Sequence, residues 1–249
     1  MQMIKCIVTI PALNPTDNLI NYVRTLANDG IAHIIVVNDG STKDSLPIFN
    51  ELNQQSYCTV LTHETNQGKG RALKTAFTYI NEHFKDMTGV VTADADGQHA
   101  ARDVIKIAAL LDSKENRLIL GVRDFNQPNV PKKSILGNKL TRFIFHALFK
   151  EKLSDTQTGL RGIAFHDLPW LLQLKGERYE YEINMLINAI ERHIPLHKIE
   201  IETLYFNNNA GSYYKSIRDS LQIMTRITAG FFRKGSLIHS ESPKQIGEK

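Results

Sequence analysis

Gly89-Val90-Val91-Thr92 runs straight into Ala93-Asp94-Ala95-Asp96-Gly97-Gln98-His99, and the reading of this stretch decides the fold. The first four residues carry no polar alternation, the pattern of a short strand buried on both faces. The change to two carboxylates, an amide and an imidazole within seven residues marks a strand end that opens on solvent. An Asp-x-Asp triplet is also an ordinary turn with Asx hydrogen bonds, so its weight depends on what surrounds it.

The same pattern recurs upstream. Ile4 to Ile10 reads as a strand ended by Pro11-Ala12-Leu13-Asn14-Pro15, and Leu19, Tyr22, Val23 and Leu26 follow at helical spacing. Ile34 to Val37 is a buried strand closed by Asn38-Asp39-Gly40-Ser41-Thr42. A third strand near Tyr57–Thr62 precedes Asn66-Gln67-Gly68-Lys69-Gly70, which opens a helix from Arg71 to about His83. Strands alternating with helices predict an α/β fold with a mostly parallel central sheet flanked by helices. Ligands of such sheets bind beyond the carboxyl ends of the strands. Asn14, Asp39, Lys69, Asp94 and Asp96 all fall just after such ends, forming one polar rim of nucleotide size.

Downstream, Gly121 to Lys133 reads as an irregular basic loop, with a helix from about Ser134 to Phe149. The loop Ser154 to Gly162 precedes a strand near Ile163–Phe165. Glu180 to His193 reads as a helix, in which Glu180 and Glu182 favour the positive N-terminal end, and Ile199–Tyr205 as a strand. Ile217, Leu221, Met224, Ile227 and Phe231 recur at helical spacing beside Arg218, Arg226 and Arg233. The expected division is a core domain over 1–210, an amphipathic and membrane-surface helix over 211–235, and a polar tail over 236–249.

Composition narrows the class. Of 249 residues, 42% are hydrophobic and 22% charged, which excludes a disordered tail or a fibre. No stretch reaches the ~18–20 apolar residues of a spanning helix, and no targeting peptide is read ahead of the first strand. Two cysteines, Cys6 and Cys58, make no disulfide framework and fit a reducing, cytoplasmic setting. Residues 1–100 carry 7 basic and 10 acidic side chains, whereas residues 101–249 carry 23 and 16. The basic second half therefore fits an anionic ligand. A pI near 8.9 also permits nucleic acid, but no stacking module or recognition motif is present, so nucleic acid is not an expected partner.

The rim residues have definable chemistry. Oxygen donors spaced as Asp94, Asp96 and Gln98 suit Mg²⁺ or Mn²⁺ holding the diphosphate of a sugar nucleotide. An acid at Asp39 suits a base or ribose. Gly68-Lys69-Gly70 starts a helix whose amides attract phosphate, although it lacks P-loop spacing. His99 is either a ligand or a neighbour of the metal pair.

In order and spacing, Pro11-Ala12-Leu13-Asn14, Val37-Asn38-Asp39-Gly40-Ser41-Thr42, Asn66-Gln67-Gly68-Lys69-Gly70 and Ala93-Asp94-Ala95-Asp96-Gly97-Gln98-His99 resemble the family 2 glycosyltransferases. The likeness is nearest to their dolichyl-phosphate mannose synthase-like branch. Asp155-Thr156-Gln157-Thr158-Gly159-Leu160-Arg161 is similar to that branch's acceptor-loop motif, and the resemblance covers about residues 4–220. It implies a GT-A fold and inverting transfer of a hexose from UDP-glucose, UDP-N-acetylglucosamine or GDP-mannose to a polyprenyl phosphate, undecaprenyl or dolichyl. Further implications are a role in cell-surface glycan modification and a place on the cytoplasmic face of a membrane.

By position, the resemblance implies that Pro11, Leu13, Val37, Asp39, Asp94 and Ala95 line the nucleotide pocket and that Lys215 contacts the donor; Lys69, as a member of the polar rim, is expected at the nucleotide sugar too. Asp96 and Gln98 hold the metal with Asp94, and Arg123 faces the phosphates. Two positions depart from the branch: Pro15 stands where a Glu is frequent, and Asn209 where an Arg precedes Lys215. A lipid phosphate, with a second pKa of about 6, is mostly deprotonated near neutral pH and attacks without a general base. The reaction then needs positive charge to bring two anions together. Arg123, Lys132, Lys133, Thr158 and Arg161 are the expected acceptor-phosphate groups, and Asp96, Arg123 and Arg161 the catalytic ones. Asp155 either orients Arg161 or caps the loop. Alternative readings are transfer to a glycan hydroxyl and nucleotide-sugar binding without turnover. Apolar Ile135, Phe143, Ile144, Phe145, Leu148 and Phe149, flanked by basic residues, suit an interfacial helix. They equally suit a core stripe or a dimer contact. Lipid access is expected through peripheral binding or a separate membrane protein.

Overall fold

Among the described residues, parallel β1 (Ile4–Ala12) and β2 (Ile31–Asp39) pair over most of their length, and β3 (Cys58–His63) extends the sheet beyond β2. A computed structural model of the chain describes residues 3–111, 118–124, 138–139, 142–143, 145–147 and 149–202. On the other side of β1 lies β4 (Gly89–Thr92), also parallel. The sheet then continues through β6 (Arg161–Ala164), β5 (Leu118–Arg123) and β7 (Leu196–Ile201), giving the order β3-β2-β1-β4-β6-β5-β7. β6 runs antiparallel to both β4 and β5, while β5 and β7 are parallel.

The β-branched runs explain the layering. Successive side chains of a strand point to opposite faces, so one run feeds two cores. Val8, Ile10, Ile34 and Val36 pack with Leu19, Val23 and Leu26 of α1 (Asn18–Asn28), Phe49 and Leu52 of α2 (Leu46–Asn53), and Val104 and Ile107 of α4 (Ala101–Leu111). Ile7, Ile35, Val37 and Val90 pack with Leu73, Phe77 and Ile80 of α3 (Lys69–His83). Leu168 and Leu171 of α5 (Leu168–Leu172), with Tyr181 and Leu186 of α6 (Glu180–Glu191), complete that second layer. Each such side chain contributes roughly 1.5–3 kcal/mol on burial.

The chain steps outward from β1 to β3, then α3 carries it back across the sheet to β4, beside β1. This reversal opens a crevice above the carboxyl ends of β1 and β4. The antiparallel β6 matters equally. Its first residue, Arg161, is in register with Thr92, the last of β4. The loop leading into β6 therefore arrives at the same rim as the carboxyl ends of its neighbours, and so does Arg123 at the end of β5.

The α/β fold with a mostly parallel sheet is as expected, but several elements differ. Gly121 to Arg123, read as the start of an irregular loop, is the second half of β5. The strand expected near Ile163–Phe165 begins at Arg161, because antiparallel pairing on both sides extends it. β7 starts at Leu196, ahead of the expected Ile199. Phe145 and Phe149 are buried against the second core, their rings 4.9 Å apart, whereas Phe143 is 71% exposed. The apolar stripe of that helical segment is thus core at Phe145 and Phe149, whereas Phe143 faces outward; Ile135, Ile144 and Leu148 lie outside the described residues. Among the described residues no helix is long and apolar enough to cross a membrane. The expected helix at 211–235 and tail at 236–249 lie outside the described residues, as do Lys132, Lys133 and Lys215.

Candidate active site

The loops after β1 and β2 are sewn together by Asn14. Its backbone N–H donates to Ser41 Oγ at 2.9 Å, and its Oδ1 accepts from the Thr42 N–H at 2.7 Å. Asn38 Oδ1 accepts from the Ser41 N–H at 2.9 Å. Pro11 and Leu13 remain partly exposed at this edge. Val37 does not reach it. Its side chain is completely buried among α3 residues, because the two-residue alternation of β2 turns it to the core.

Asp39, 4% exposed, is held mostly by protein. Oδ1 accepts from His63 Nδ1 at 2.7 Å and from the Gln67 N–H at 2.9 Å, and Oδ2 accepts from the Gly68 N–H at 2.8 Å. Strand register puts His63 directly opposite Asp39. The amides leading into α3, read from sequence as a phosphate cradle, are thereby taken by a carboxylate. Gly68 is itself covered: its φ is +104°, and a Cβ there would lie 2.4 Å from the Glu177 carbonyl oxygen. The Arg71 N–H donates to that same carbonyl at 2.9 Å. The start of α3 therefore braces the site and offers no open anion cradle.

Lys69 projects from this start into the rim. Its Nζ sits 2.6 Å from Asp94 Oδ1 and 3.0 Å from Glu182 Oε1. Burial alone would lower the lysine's pKa, but the two carboxylates outweigh it and hold it above its ordinary value. Burial would likewise raise Asp94, yet Lys69 beside it brings that carboxyl down to about 2. The Asp94 N–H donates to His99 Nδ1 at 3.1 Å, so the neutral ring carries its proton on Nε2. Burial pushes His99 down to about 4. His99 thus props the Asp94 backbone, and its Nδ1 lone pair is engaged.

Asp96 behaves differently. It sits at the open mouth of the rim, and its Oδ1 accepts from the Gln98 N–H at 3.1 Å. Partial enclosure by the cleft, then the neighbouring Asp94 charge, push its carboxyl up to about 6. No cationic side chain among the described residues pairs with it. Among those residues, no group of three or more His, Cys, Asp and Glu side chains is arranged to hold a metal ion. Two carboxylates and the Gln98 amide still fit a Mg²⁺ or Mn²⁺ ion that takes its other ligands from phosphate and water. Asp96 has charge to offer, and Lys69 already occupies Asp94 as a cation.

Arg123 and Arg161, paired in the sequence reading, separate in the structure. Arg123 Nε donates to Asp155 Oδ2 at 2.6 Å and Nη2 to Asp155 Oδ1 at 3.1 Å, a bidentate pair. Asp155 is completely buried and also accepts from the Gln157 N–H at 3.0 Å. It therefore orients Arg123, not Arg161. Arg161, expected at the acceptor phosphate, is 0% exposed. Its Nε donates to the Thr158 carbonyl at 3.1 Å and its Nη1 to the Glu182 carbonyl at 2.5 Å, tying β6 to α6. Thr158 is buried too, its Oγ1 accepting from the Leu160 N–H at 3.3 Å. Arg161 is in register with Leu120 of β5, three residues short of Arg123, and with Thr92 of β4, so it lies below the rim.

Gly159 passes directly over the ion pair. A Cβ there would come 2.6 Å from Asp94 Oδ2 and 2.8 Å from Lys69 Nζ, so a side chain at this position would displace the ends of that pair. The Gly159 carbonyl accepts from Thr92 Oγ1 at 2.6 Å. Two further groups escaped the sequence reading. Glu182, read as a helix-start residue, reaches the rim from α6. Tyr22 of α1, noted from sequence only for its helical spacing, has its hydroxyl buried without a hydrogen-bond partner among the described residues. Burial, followed by the charges of Asp94, Asp96 and Asp103, raises its pKa.

This sheet, with its antiparallel β6 and its acid-lined rim, is a GT-A fold. It resembles glucosyl-3-phosphoglycerate synthase from Mycobacterium tuberculosis, crystallised with Mn²⁺, UDP and glucosyl-3-phosphoglycerate, with a TM-score of 0.64 at 18% identity over 91% of this chain and 80% of that one. Residues 7–168 match the model of Glycosyl transferase family 2. The chain is 31% identical over 213 residues to the UDP-N-acetylglucosamine–dolichyl-phosphate N-acetylglucosaminyltransferase of Methanococcus voltae, covering 79% of this chain and 84% of that protein. It is 28% identical over 202 residues to protein MJ1222 of Methanocaldococcus jannaschii, covering 80% and 81%. The chain belongs to glycosyl transferase family 2 and is a glycosyltransferase.

Proposed function

We propose that the protein transfers a hexose, with inversion, from a nucleoside-diphosphate sugar to a polyprenyl phosphate, and that UDP-N-acetylglucosamine is the first donor to test. The observation that carries this reading is Arg123, held bidentate by buried Asp155 on the rim that also carries Asp94 and Asp96. A planar guanidinium fixed in this way is suited to a phosphate dianion. The Methanococcus relative, which acts on dolichyl phosphate, supports the acceptor and the choice of donor.

Pro11, Leu13 and Ala95 line the nucleotide end, and Asp94, Asp96 and Gln98 would hold a divalent cation. When bound, that cation supplies charge neutralisation for the departing diphosphate. Arg123, supported by Lys132 and Lys133, draws the acceptor phosphate to the sugar. Its oxygen forms the new bond to the anomeric carbon as the bond to the diphosphate breaks on the opposite face. The acceptor is already ionised near neutral pH, so no general base is required. Phe143, with Lys139 and Arg142 beside it, is the described part of the surface suited to a membrane on the cytoplasmic side.

The test is incubation with undecaprenyl or dolichyl phosphate, Mg²⁺ or Mn²⁺, and radiolabelled UDP-glucose, UDP-N-acetylglucosamine or GDP-mannose. Label extracted into organic solvent, lost with chelator and in Asp96→Ala, is the expected result. Label that moves only to water or to a soluble glycan would remove the lipid-phosphate acceptor.

A further inference from the structure

Lys69 has two carboxylate partners of unequal standing. Asp94, 2.6 Å away, has a side chain 31% exposed at the rim, whereas Glu182, 3.0 Å away, is 10% exposed and stands behind it on α6. The lysine side chain itself is 14% exposed. An ammonium so enclosed needs a counter-charge at all times, since an unpaired buried charge is strongly destabilising.

Three constraints keep Lys69 in place. It belongs to the first turn of α3, whose start is fixed by Asp39 and the Glu177 carbonyl. Gly159, just ahead of β6, leaves no room for a Cβ beside Asp94 Oδ2 and Lys69 Nζ where they stand. The first turn of α6 is fixed by Arg161, whose Nη1 donates to the Glu182 carbonyl. A divalent cation drawn to Asp94 would therefore meet the ammonium held beside it, and like charges sharing one carboxylate repel. Among the described residues, Glu182 is the other carboxylate paired with the lysine.

We propose that Lys69 is the resting counter-cation of Asp94, and that Glu182 is a positioning residue which receives Lys69 when the divalent cation takes Asp94. This inference rests on the cation reading above. It also accounts for a buried carboxylate that faces the site yet lies behind the groups that would touch donor or acceptor.

The test is Mn²⁺ titration of the full chain with UDP present, following free Mn²⁺ by electron paramagnetic resonance. Glu182→Gln is expected to weaken Mn²⁺ binding about tenfold, a change of about 1.4 kcal/mol. Glu182→Asp keeps the charge but withdraws it from Nζ by one methylene, and is expected to weaken binding to a similar degree. In a Lys69→Met background, Glu182→Gln is expected to change binding less than about twofold, since neighbouring sites that act together are not additive. Wild-type affinity in Glu182→Asp would overturn the inference, because through-space charge would then be the whole effect. Equal losses from Glu182→Gln with and without Lys69 would overturn it too. Failure of the wild-type protein to bind Mn²⁺ would overturn the cation reading and this inference together. Normal wild-type binding with unresponsive Glu182 variants would strike only the inference.

Discussion

Arg123 closes β5 and Arg161 opens β6, and their fates divide the rim in two. On the side of β1, β2 and β4, the polar groups follow parallel strand ends and stand where the chain order puts them. On the side of β5 and β6, one arginine reaches the rim and the other is a buried strut between β6 and α6. The two share a residue type and a basic neighbourhood. Register separates them: Arg161 lies opposite Leu120, three residues before Arg123 on β5, so its side chain starts deeper in the sheet. A charged residue near a ligand motif is therefore a contact or a brace according to its depth in the sheet.

That comparison can be broken most directly at Arg161. Arg161→Ala should cost about 3–5 kcal/mol, leaving a cavity and two carbonyls without their donor. A urea or thermal melt reads the loss, and a variant of normal stability that has lost only acceptor affinity would return Arg161 to the phosphate site. Asp155→Asn tests the other arginine. It should lower kcat/KM at least about tenfold, about 1.4 kcal/mol of transition-state stabilisation, through a misdirected Arg123. A variant whose lipid transfer equals wild type would show that the bidentate pair plays no part in the reaction.

Gly159→Ala sharpens the boundary between the two halves. A Cβ within 3 Å of Asp94 and Lys69 should cost about 1–3 kcal/mol, as overpacked sites do. Denaturant midpoints check this, and an unchanged midpoint would mean the loop yields freely. Asp39→Asn should cost roughly 1–2 kcal/mol, since an amide cannot accept from His63 and both loop amides as the carboxylate does. Differential scanning calorimetry measures that loss. Phe143→Ser should leave stability within about 0.5 kcal/mol, as exposed positions do. Sedimentation with anionic vesicles would show weaker association, and unchanged association would place the membrane contact elsewhere.

Much of the first half was legible because buried parallel strands write themselves as apolar runs that end in polar loops. The Asp94–Asp96 rim, the Asn38-Asp39 turn and the α3 start were found from that pattern. Their partners were less accessible. His63 could have been found once β2 and β3 were paired in register, since it lies across from Asp39. Glu182 had no such signal: it is 113 positions from Lys69, and its place at a helix start already explained its charge. Tyr22 was hidden by its helical spacing, which assigns a side chain to a face without showing where a hydroxyl ends. Val37 erred the other way, because a residue next to a motif can still point to the opposite side of the sheet.

By itself the sequence determined the alternation of strand and helix, the polar strand ends, the glycosyltransferase family and the excess of positive charge in the second half. These follow from local hydrophobic pattern and residue type, which need only neighbours along the chain. Only the tertiary structure decided that β6 runs against β4 and β5, that Asp155 grips Arg123, that Arg161 is buried, and that Glu182 stands behind Lys69. Those outcomes depend on which segments meet across the sheet, and the free energy of burying a charge is set by partners distant in sequence.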